Sequence, residues 1–374
     1  HEYITYFDGL GRPIQSINNQ GSPNRKDIVQ PFEYDENGKE TKKYFIYSDG
    51  SQGYYKYNMI HRQAEFYSSP NNDIPNDNYP YAEIIYEVSP LNRIMEQGAP
   101  GADWQPGASN IPNSGHSVKF NYQANVANEV LLLQVSTNGN LAIGKTINGT
   151  LSKFYPANEL YKTIVKDENW TSAKGKLHTT EEFKDKQGRV VLKRAYVENS
   201  SGVDKVDTYY VYDDLGLLRY VISPKALAYF ASTSASSFAP TNNYIKELCY
   251  HYKYDGLKRM IEKKIPGAAV VYMVYDLRDR LVATQDGEQR KSNQWLFTKY
   301  DQLNRPVLTG LWIQTTAAKT REALQSLVDT YNDASSDKKL YETRGSVVHS
   351  YTNNSFPSVT NTNSYLTVSY YDDY

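Results

Sequence analysis

The chain has one cysteine, Cys249, in 374 residues. An internal disulfide framework and a cysteine-built zinc site are therefore excluded. Excess charge of either sign is missing too, because 41 Lys and Arg stand against 42 Asp and Glu for a net charge of −1. Without a basic footprint, nucleic acid is not expected as the main partner. No apolar run approaches the ~18 residues of a membrane helix. No signal peptide opens the sequence, but it starts at His1 rather than Met, so the missing leader says nothing about address. Leu, Ile, Val and Phe together reach only about a fifth of the chain, near the level that warns of disorder. That warning also requires high net charge, which is absent. Against these shortages stands one surplus, 35 tyrosines. Tyrosine is expected to supply much of the core, in a chain long enough for one large or two medium domains.

A repeat accounts for the surplus. Tyr254-Asp255-Gly256-Leu257-Lys258-Arg259 returns as Tyr275-Asp276-Leu277-Arg278-Asp279-Arg280 and as Tyr300-Asp301-Gln302-Leu303-Asn304-Arg305. Phe7-Asp8-Gly9-Leu10-Gly11-Arg12 and Tyr34-Asp35-Glu36-Asn37-Gly38-Lys39 share the pattern: aromatic, Asp, three residues, then Lys or Arg. Random placement predicts about 0.3 such strings, so five are a true repeat. Degenerate copies join them. Lys184-Asp185-Lys186-Gln187-Gly188-Arg189 lacks the aromatic, Tyr212-Asp213-Asp214-Leu215-Gly216-Leu217 lacks the basic residue, and Tyr86 to Arg93 carries Glu87 for Asp with two extra residues.

The spacing has a local meaning. Asp followed three residues later by Gly11, Gly38, Gly188, Gly216 or Asn304 is a type I turn signature. The Asp accepts backbone N–H bonds, and Gly or Asn takes the left-handed conformation that returns the chain. Runs rich in Tyr, Val, Ile and Thr flank the turns, as in Val271 to Tyr275 and Leu281 to Thr284. Each unit therefore reads as a β-hairpin with a four-residue loop, its tyrosine and basic residue at the two mouths. The basic residue is expected to find an Asp or tyrosine partner in the adjacent hairpin. A lone hairpin is marginal in water, but stacked hairpins bury aromatic faces while each hydroxyl finds a partner. Helices are few. Leu324, Leu327, Val328 and Tyr331 follow helical spacing within 317–333, with Glu322 suited to the dipole, and Pro224 to Phe230 can begin a shorter helix. Ala231 to Ala239, Asn71 to Pro80 and Gly98 to Gly115 read as loops.

These residues resemble the YD repeat of the Rhs/YD-repeat superfamily. Tyr6 to Gln15, Tyr272 to Leu281 and Phe297 to Pro306 are similar to its Bacteroidetes form. The first stretch is similar to the opening of a domain of unknown function that precedes the repeats. The resemblance implies a mainly β fold of stacked antiparallel hairpins, winding as a spiral shell or cocoon with one or two short helical insertions. With the loop Gly98 to Gly115 as the best candidate for a module boundary, the chain is expected to divide into an N-terminal β module at 1–110, a β-rich connection at 111–180 and a repeat sheet at 181–374 that carries the 317–333 helix. The resemblance further implies a secreted or cell-surface setting of the polymorphic-toxin type, and a C-terminal effector enclosed by the rest of a longer polypeptide as the partner. Family shells often cut themselves at aspartates beside prolines. This sequence has no Asp-Pro pair, so that activity is not carried over. The final Tyr370 to Tyr374 is similar to a repeat broken off in its first residues, which makes a fragment the expectation.

Chemistry finds little foothold. Among His1, His61, His116, His178, His251 and His349 no pair has metal-ligand spacing on an expected helix or hairpin. Cys249 and His251 share a strand face, a placement more common for packing than for a nucleophile and base. Recurrence in every unit argues against the repeat aspartates as a glycosidase pair. Gly50 to Gly53 and Gly98 to Gly101 lack the strand-loop-helix context of a phosphate cradle. Asn148-Gly149-Thr150 and Asn169-Trp170-Thr171 have glycan-acceptor form, which a bacterial origin leaves unused. No catalytic residue, cofactor or metal is expected. Two functions stay open: a structural shell segment, and a carbohydrate-binding or adhesin-like surface built on exposed tyrosines with Trp104, Trp170, Trp295 or Trp312. A cluster of exposed aromatics favours the second, and tyrosines packed between hairpins favour the first.

Overall fold

The computed structural model describes residues 2–69, 74–107, 115–147, 150–233, 235–313, 320–333 and 340–371. Its described residues are mainly antiparallel β, built of stacked hairpins with a few short helices. The chain forms two compact units, one from His1–Val126 with Pro156–Val206, the other from Ala127–Tyr155 with Asp207–Tyr374. The boundary expected near 110 lies outside the described residues, and that near 180 falls inside the strand Thr179–Lys184.

In the first unit, Tyr3–Phe7, Pro13–Asn18, Asp27–Pro31 and Tyr47–Asp49 pair in that order as a four-stranded sheet. Alternation places Ile17, Val29 and Tyr47 on one buried face, where Phe66 and Tyr67 of the helix Met59–Ser68 cover them. Lys42–Tyr44, Tyr81–Tyr86, Ile94–Gly98, Val118–Ala124, Tyr161–Lys166, Thr179–Lys184 and Val190–Asn199 form a second ordered row.

In the second unit the row is Leu218–Ile222, Cys249–Tyr254, Met260–Lys264, Val271–Tyr275, Leu281–Gln285, Gln294–Tyr300, Pro306–Ile313 and Tyr365–Val368. Each strand is adjacent to its predecessor in this row, the pattern of a meander. The helix Arg321–Asp333 lays Leu324 and Val328 on Val274, Val282, Ala283 and Trp295 of this sheet. Residues 317–319 of the helix expected at 317–333 lie outside the described residues. Gln325 fixes the docking, accepting from Tyr275 N at 3.1 Å and donating to Tyr275 O at 2.7 Å. A small sheet of Leu133–Val135, Leu141–Ile143 and Ser237–Phe238 completes the unit.

Two expectations need correction. The helix from Pro224 runs to Ser232, two residues into the stretch read as loop, started by Ser223 Oγ accepting from Ala226 N. Tyr34, Tyr212, Tyr254, Tyr275 and Tyr300 are half-buried, not core, and Phe7 is exposed. Among the described residues the buried tyrosines are Tyr44, Tyr47, Tyr209, Tyr220 and Tyr351, alongside a core that is otherwise largely aliphatic.

Candidate functional site

The feature that recurs is a turn, and its geometry starts with one carboxylate. In Asp8 to Arg12, Asp8 N donates to Arg12 O at 2.9 Å and Gly11 N donates to Asp8 O at 3.1 Å. Oδ1 of Asp8 accepts from the Leu10 and Arg12 amides, both at 2.9 Å, while Oδ2 accepts from Arg12 Nε at 2.7 Å. The same set of bonds is made by Asp185 with Arg189, Asp255 with Arg259, Asp276 with Arg280 and Asp301 with Arg305. The residue three past the Asp has positive φ throughout: 78° at Gly11, 76° at Gly38, 81° at Gly188, 78° at Gly216 and 63° at Asn304. Lys258 at 66° and Asp279 at 58° take the same conformation without being Gly or Asn. A β-bulge falls at the residue before the Asp in each of these hairpins with a paired register, among them Tyr212, Tyr254, Tyr275 and Tyr300.

The basic residue therefore pairs with the Asp of its own turn, and Arg259 reaches Asp279 of the adjacent hairpin as well, at 2.8 Å. What the next hairpin supplies in common is a ring. Arg12 lies over Tyr34 at 4.5 Å, Arg93 over Tyr122 at 4.4 Å, Arg259 over Tyr275 at 4.9 Å and Arg280 over Tyr300 at 4.9 Å. Arg305 lies over Tyr371 at 4.4 Å; Asp372 to Tyr374 lie outside the described residues. The hydroxyl of the same tyrosine reaches back across the hairpin boundary. Tyr34 donates to Pro13 O, Tyr122 to Ile94 O, Tyr275 to Met260 O and Tyr300 to Leu281 O, at 2.7 to 2.9 Å. In each case that carbonyl belongs to the residue after the arginine. One tyrosine thus latches two hairpins twice, through its face and through its tip.

The degenerate copies show which parts are exchangeable. Tyr212 and Asp213 keep the turn with Gly216, and Arg219 replaces the missing arginine, with its guanidinium 3.3 Å from Asp213. Tyr254 still donates to Leu218 O at 3.0 Å. Asp35 caps the Asn37 and Lys39 amides, but Lys39 turns away to lie 4.8 Å over Tyr86. Glu87, one methylene longer than Asp, spans the longer loop and takes two bonds from Arg93. Sequence reasoning missed Tyr122, and it missed a further turn in which Asp167 caps Asn169 N and meets His178 at 3.1 Å. Its aspartate and histidine are eleven residues apart, so no fixed spacing could reveal it.

Electrostatics agree with a structural carboxylate. Arg93 holds Glu87 down to about 2, chiefly through its side-chain hydrogen bonds. For Asp255 and Asp301 burial works against the charge, yet the arginine amide and guanidinium win and the pKa falls. Burial raises the tyrosines Tyr34, Tyr122, Tyr275 and Tyr300, so their hydroxyls remain donors.

Cys249 and His251 do lie on one buried face. Burial pushes the Cys249 thiol up to about 12 and the His251 imidazole down to about 4, and His251 packs against the Tyr220 ring at 4.7 Å. Neither charge state suits a thiolate–imidazolium pair at neutral pH. Trp295 is buried, Trp170 and Trp312 are half-buried, and Trp104 is exposed. Among the described residues no group of three His, Cys, Asp or Glu is placed to hold a metal ion, and no helix is long and apolar enough to cross a membrane.

Residues 1–118 match a family described as a domain of unknown function (DUF6443). No curated protein matches the sequence. Among solved structures, the chain is similar to a TcdB2-TccC3 crystal structure lacking the hypervariable C-terminal region, at 15% identity and a TM-score of 0.49. It is similar to the same degree to a Photorhabdus luminescens Tc holotoxin pore, also at 15% identity and 0.49. Both alignments cover 87% of this chain and 14% of the other, so the chain spans about one seventh of those polypeptides.

Proposed function

We propose that this chain is a non-catalytic wall segment of a secreted or cell-surface Rhs/YD-repeat protein of the Bacteroidetes type, one that encloses or presents a C-terminal effector. The observation that carries this reading is the latch between successive hairpins. It repeats without converging on any one place, as a wall requires and an active centre does not. The motifs from Tyr6 to Gln15 and Phe297 to Pro306 support it, as does the family match over residues 1–118. The partner in this reading is the remainder of the chain's own longer polypeptide, with no cofactor.

Expression of the parent open reading frame tests the proposal. Electron microscopy is expected to show a closed wall, and limited proteolysis to leave a C-terminal segment intact until the wall is opened by denaturant. An open, extended particle whose C-terminal segment is cut at once overturns it. A binding surface is the second reading, favoured by Tyr54 and Tyr57, which are 69% and 76% exposed beside the half-buried Tyr55. Saturable glycan binding lost in a Tyr54→Ala, Tyr57→Ala double variant decides for that reading.

A further inference from the structure

Beneath the turn of the last repeat hairpin lies a charged cluster that the latch does not use. Lys299, on the strand Gln294–Tyr300, has a fully buried side chain, as has its ion-pair partner Glu342. The ammonium reaches Glu342 Oε1 at 3.0 Å, Ser355 O at 3.0 Å and the Asn353 side-chain oxygen at 2.6 Å. Glu342 accepts in turn from Thr352 Oγ1 at 2.7 Å, Asn354 N at 2.9 Å, Ser355 N at 2.9 Å and Ser355 Oγ at 2.6 Å. Removing both charges from water costs several kcal/mol per ion before any attraction is regained. An ion pair alone therefore explains poorly why the site was built. What singles it out is the third group: a fully buried amine and carboxylate meet the carboxamide of the half-buried Asn353.

We propose that Lys299 and Asn353 join in an intramolecular amide cross-link, with Glu342 as the proton carrier. Glu342 takes a proton from the Lys299 ammonium, and the freed lone pair on Nζ attacks Cγ of Asn353. The Nζ–Cγ bond forms and the Cγ–Nδ2 bond breaks. A second proton from Nζ passes by way of Glu342 to Nδ2, which departs as ammonia, and Glu342 is left as a neutral acid. No oxidant or co-reactant is needed. The products are an amide and a carboxylic acid, so two buried charges become none, and desolvation drives the step forward. The Asn353 amide is already held, since its Nδ2 donates to Val359 O at 3.1 Å, and its carbon lies one bond beyond the oxygen that Nζ touches. Burial lowers the Lys299 pKa against the pull of Glu342, which favours the free amine. Burial also works against the Glu342 charge, but Lys299 and the donors Ser355, Asn354 and Thr352 hold its pKa low, so the proton transfer is completed only by the departure of ammonia.

The inference is independent of the shell reading and is tested on the whole chain. Intact-mass measurement of the denatured protein is expected to fall short of the sequence mass by one ammonia. Proteolytic mapping is expected to find a branched peptide joining Lys299 to Asn353. Glu342→Gln and Asn353→Ala are each expected to restore the full mass expected for the variant. Full mass in the wild-type protein overturns the proposal without reference to any variant's folding. A loss of ammonia that maps to an Asn-Gly pair, such as Asn138-Gly139, overturns it as well, because succinimide formation there releases ammonia too. Undiminished cross-linking in Glu342→Gln overturns the role given to the carboxylate.

Discussion

A repeat tyrosine is half-buried, yet it carries two bonds to a neighbour that no aliphatic side chain could make. Its ring receives a guanidinium and its hydroxyl a carbonyl, so the two contributions separate by substitution. Tyr300→Phe keeps the ring under Arg280 and strands the Leu281 carbonyl, at an expected cost of about 1 kcal/mol. Tyr300→Leu removes the cation–π contact as well and is expected to cost about 2 kcal/mol in all. Urea midpoints measure both, and equal losses would show that the ring face contributes nothing. The aspartates give a pH signature. Asp255 and Asp301 have folded pKa values below the ordinary ~3.9, so their stabilisation is complete above that pH and is lost as pH falls through the folded values. Their contribution is therefore expected to hold from pH 7 to about 4.5 and to decline below it, on top of the loss that begins near pH 6.5 because burial holds His251 near 4. The Asp255→Asn, Asp301→Asn double variant should show a shallower acid decline; an unchanged slope counts against the capping role.

At the scale of the hairpin, the left-handed residue sets the return of the chain. A Cβ at Gly188 would meet nothing within 4 Å, so Gly188→Ala isolates the backbone cost at φ 81°, expected at about 1–2 kcal/mol. Lys258 already bears that cost, and Lys258→Gly is expected to raise stability by up to about 1 kcal/mol. Thermal midpoints moving the other way would mean that the turn is held by something other than its φ angles. The turn, the strands beside it and the helix at Arg321–Asp333 were legible because each is encoded within a few residues. The Leu324 and Val328 stripe predicts its own burial. The latch was only half legible: spacing puts the tyrosine and arginine at hairpin mouths, but which carboxylate the arginine takes depends on side-chain reach. Met59–Ser68 was not legible at all. Its N-cap, Asn58, is left-handed and makes no side-chain cap, its first turn has no acid, and its only fully buried residue is Gln63. The cluster of Lys299, Glu342 and Asn353 was equally hidden, since it joins residues up to 54 apart.

Across the whole chain, each compact unit is assembled from two stretches of sequence, and this makes part of the second unit depend on a distant insertion. Residues 127–155 leave the first unit after Val118–Ala124 and return to it before Tyr161–Lys166. Between those points they give the second unit the buried side chains Val130, Leu133, Leu141 and Ile143. They also satisfy two buried tyrosines: Tyr209 Oη accepts from Leu131 N at 3.2 Å, and Tyr220 donates to Gly139 O at 2.6 Å. Leu141 pairs with Phe238 to close the small sheet. A piece consisting of 207–374 alone would carry those tyrosines and Phe238 without their cover. Exchanging the Tyr220 bond for one to water costs about 0.5–1.5 kcal/mol, and the uncovered apolar surface adds to it. The isolated 207–374 piece is therefore expected to bind a hydrophobic dye and to unfold at lower urea than the same piece with 127–155 joined through a flexible linker. Identical transitions would mean that the insertion rests on the repeat sheet without stabilising it. A Tyr220→Phe variant of the linked piece should lie between the two, because it gives up one bond and keeps the packing.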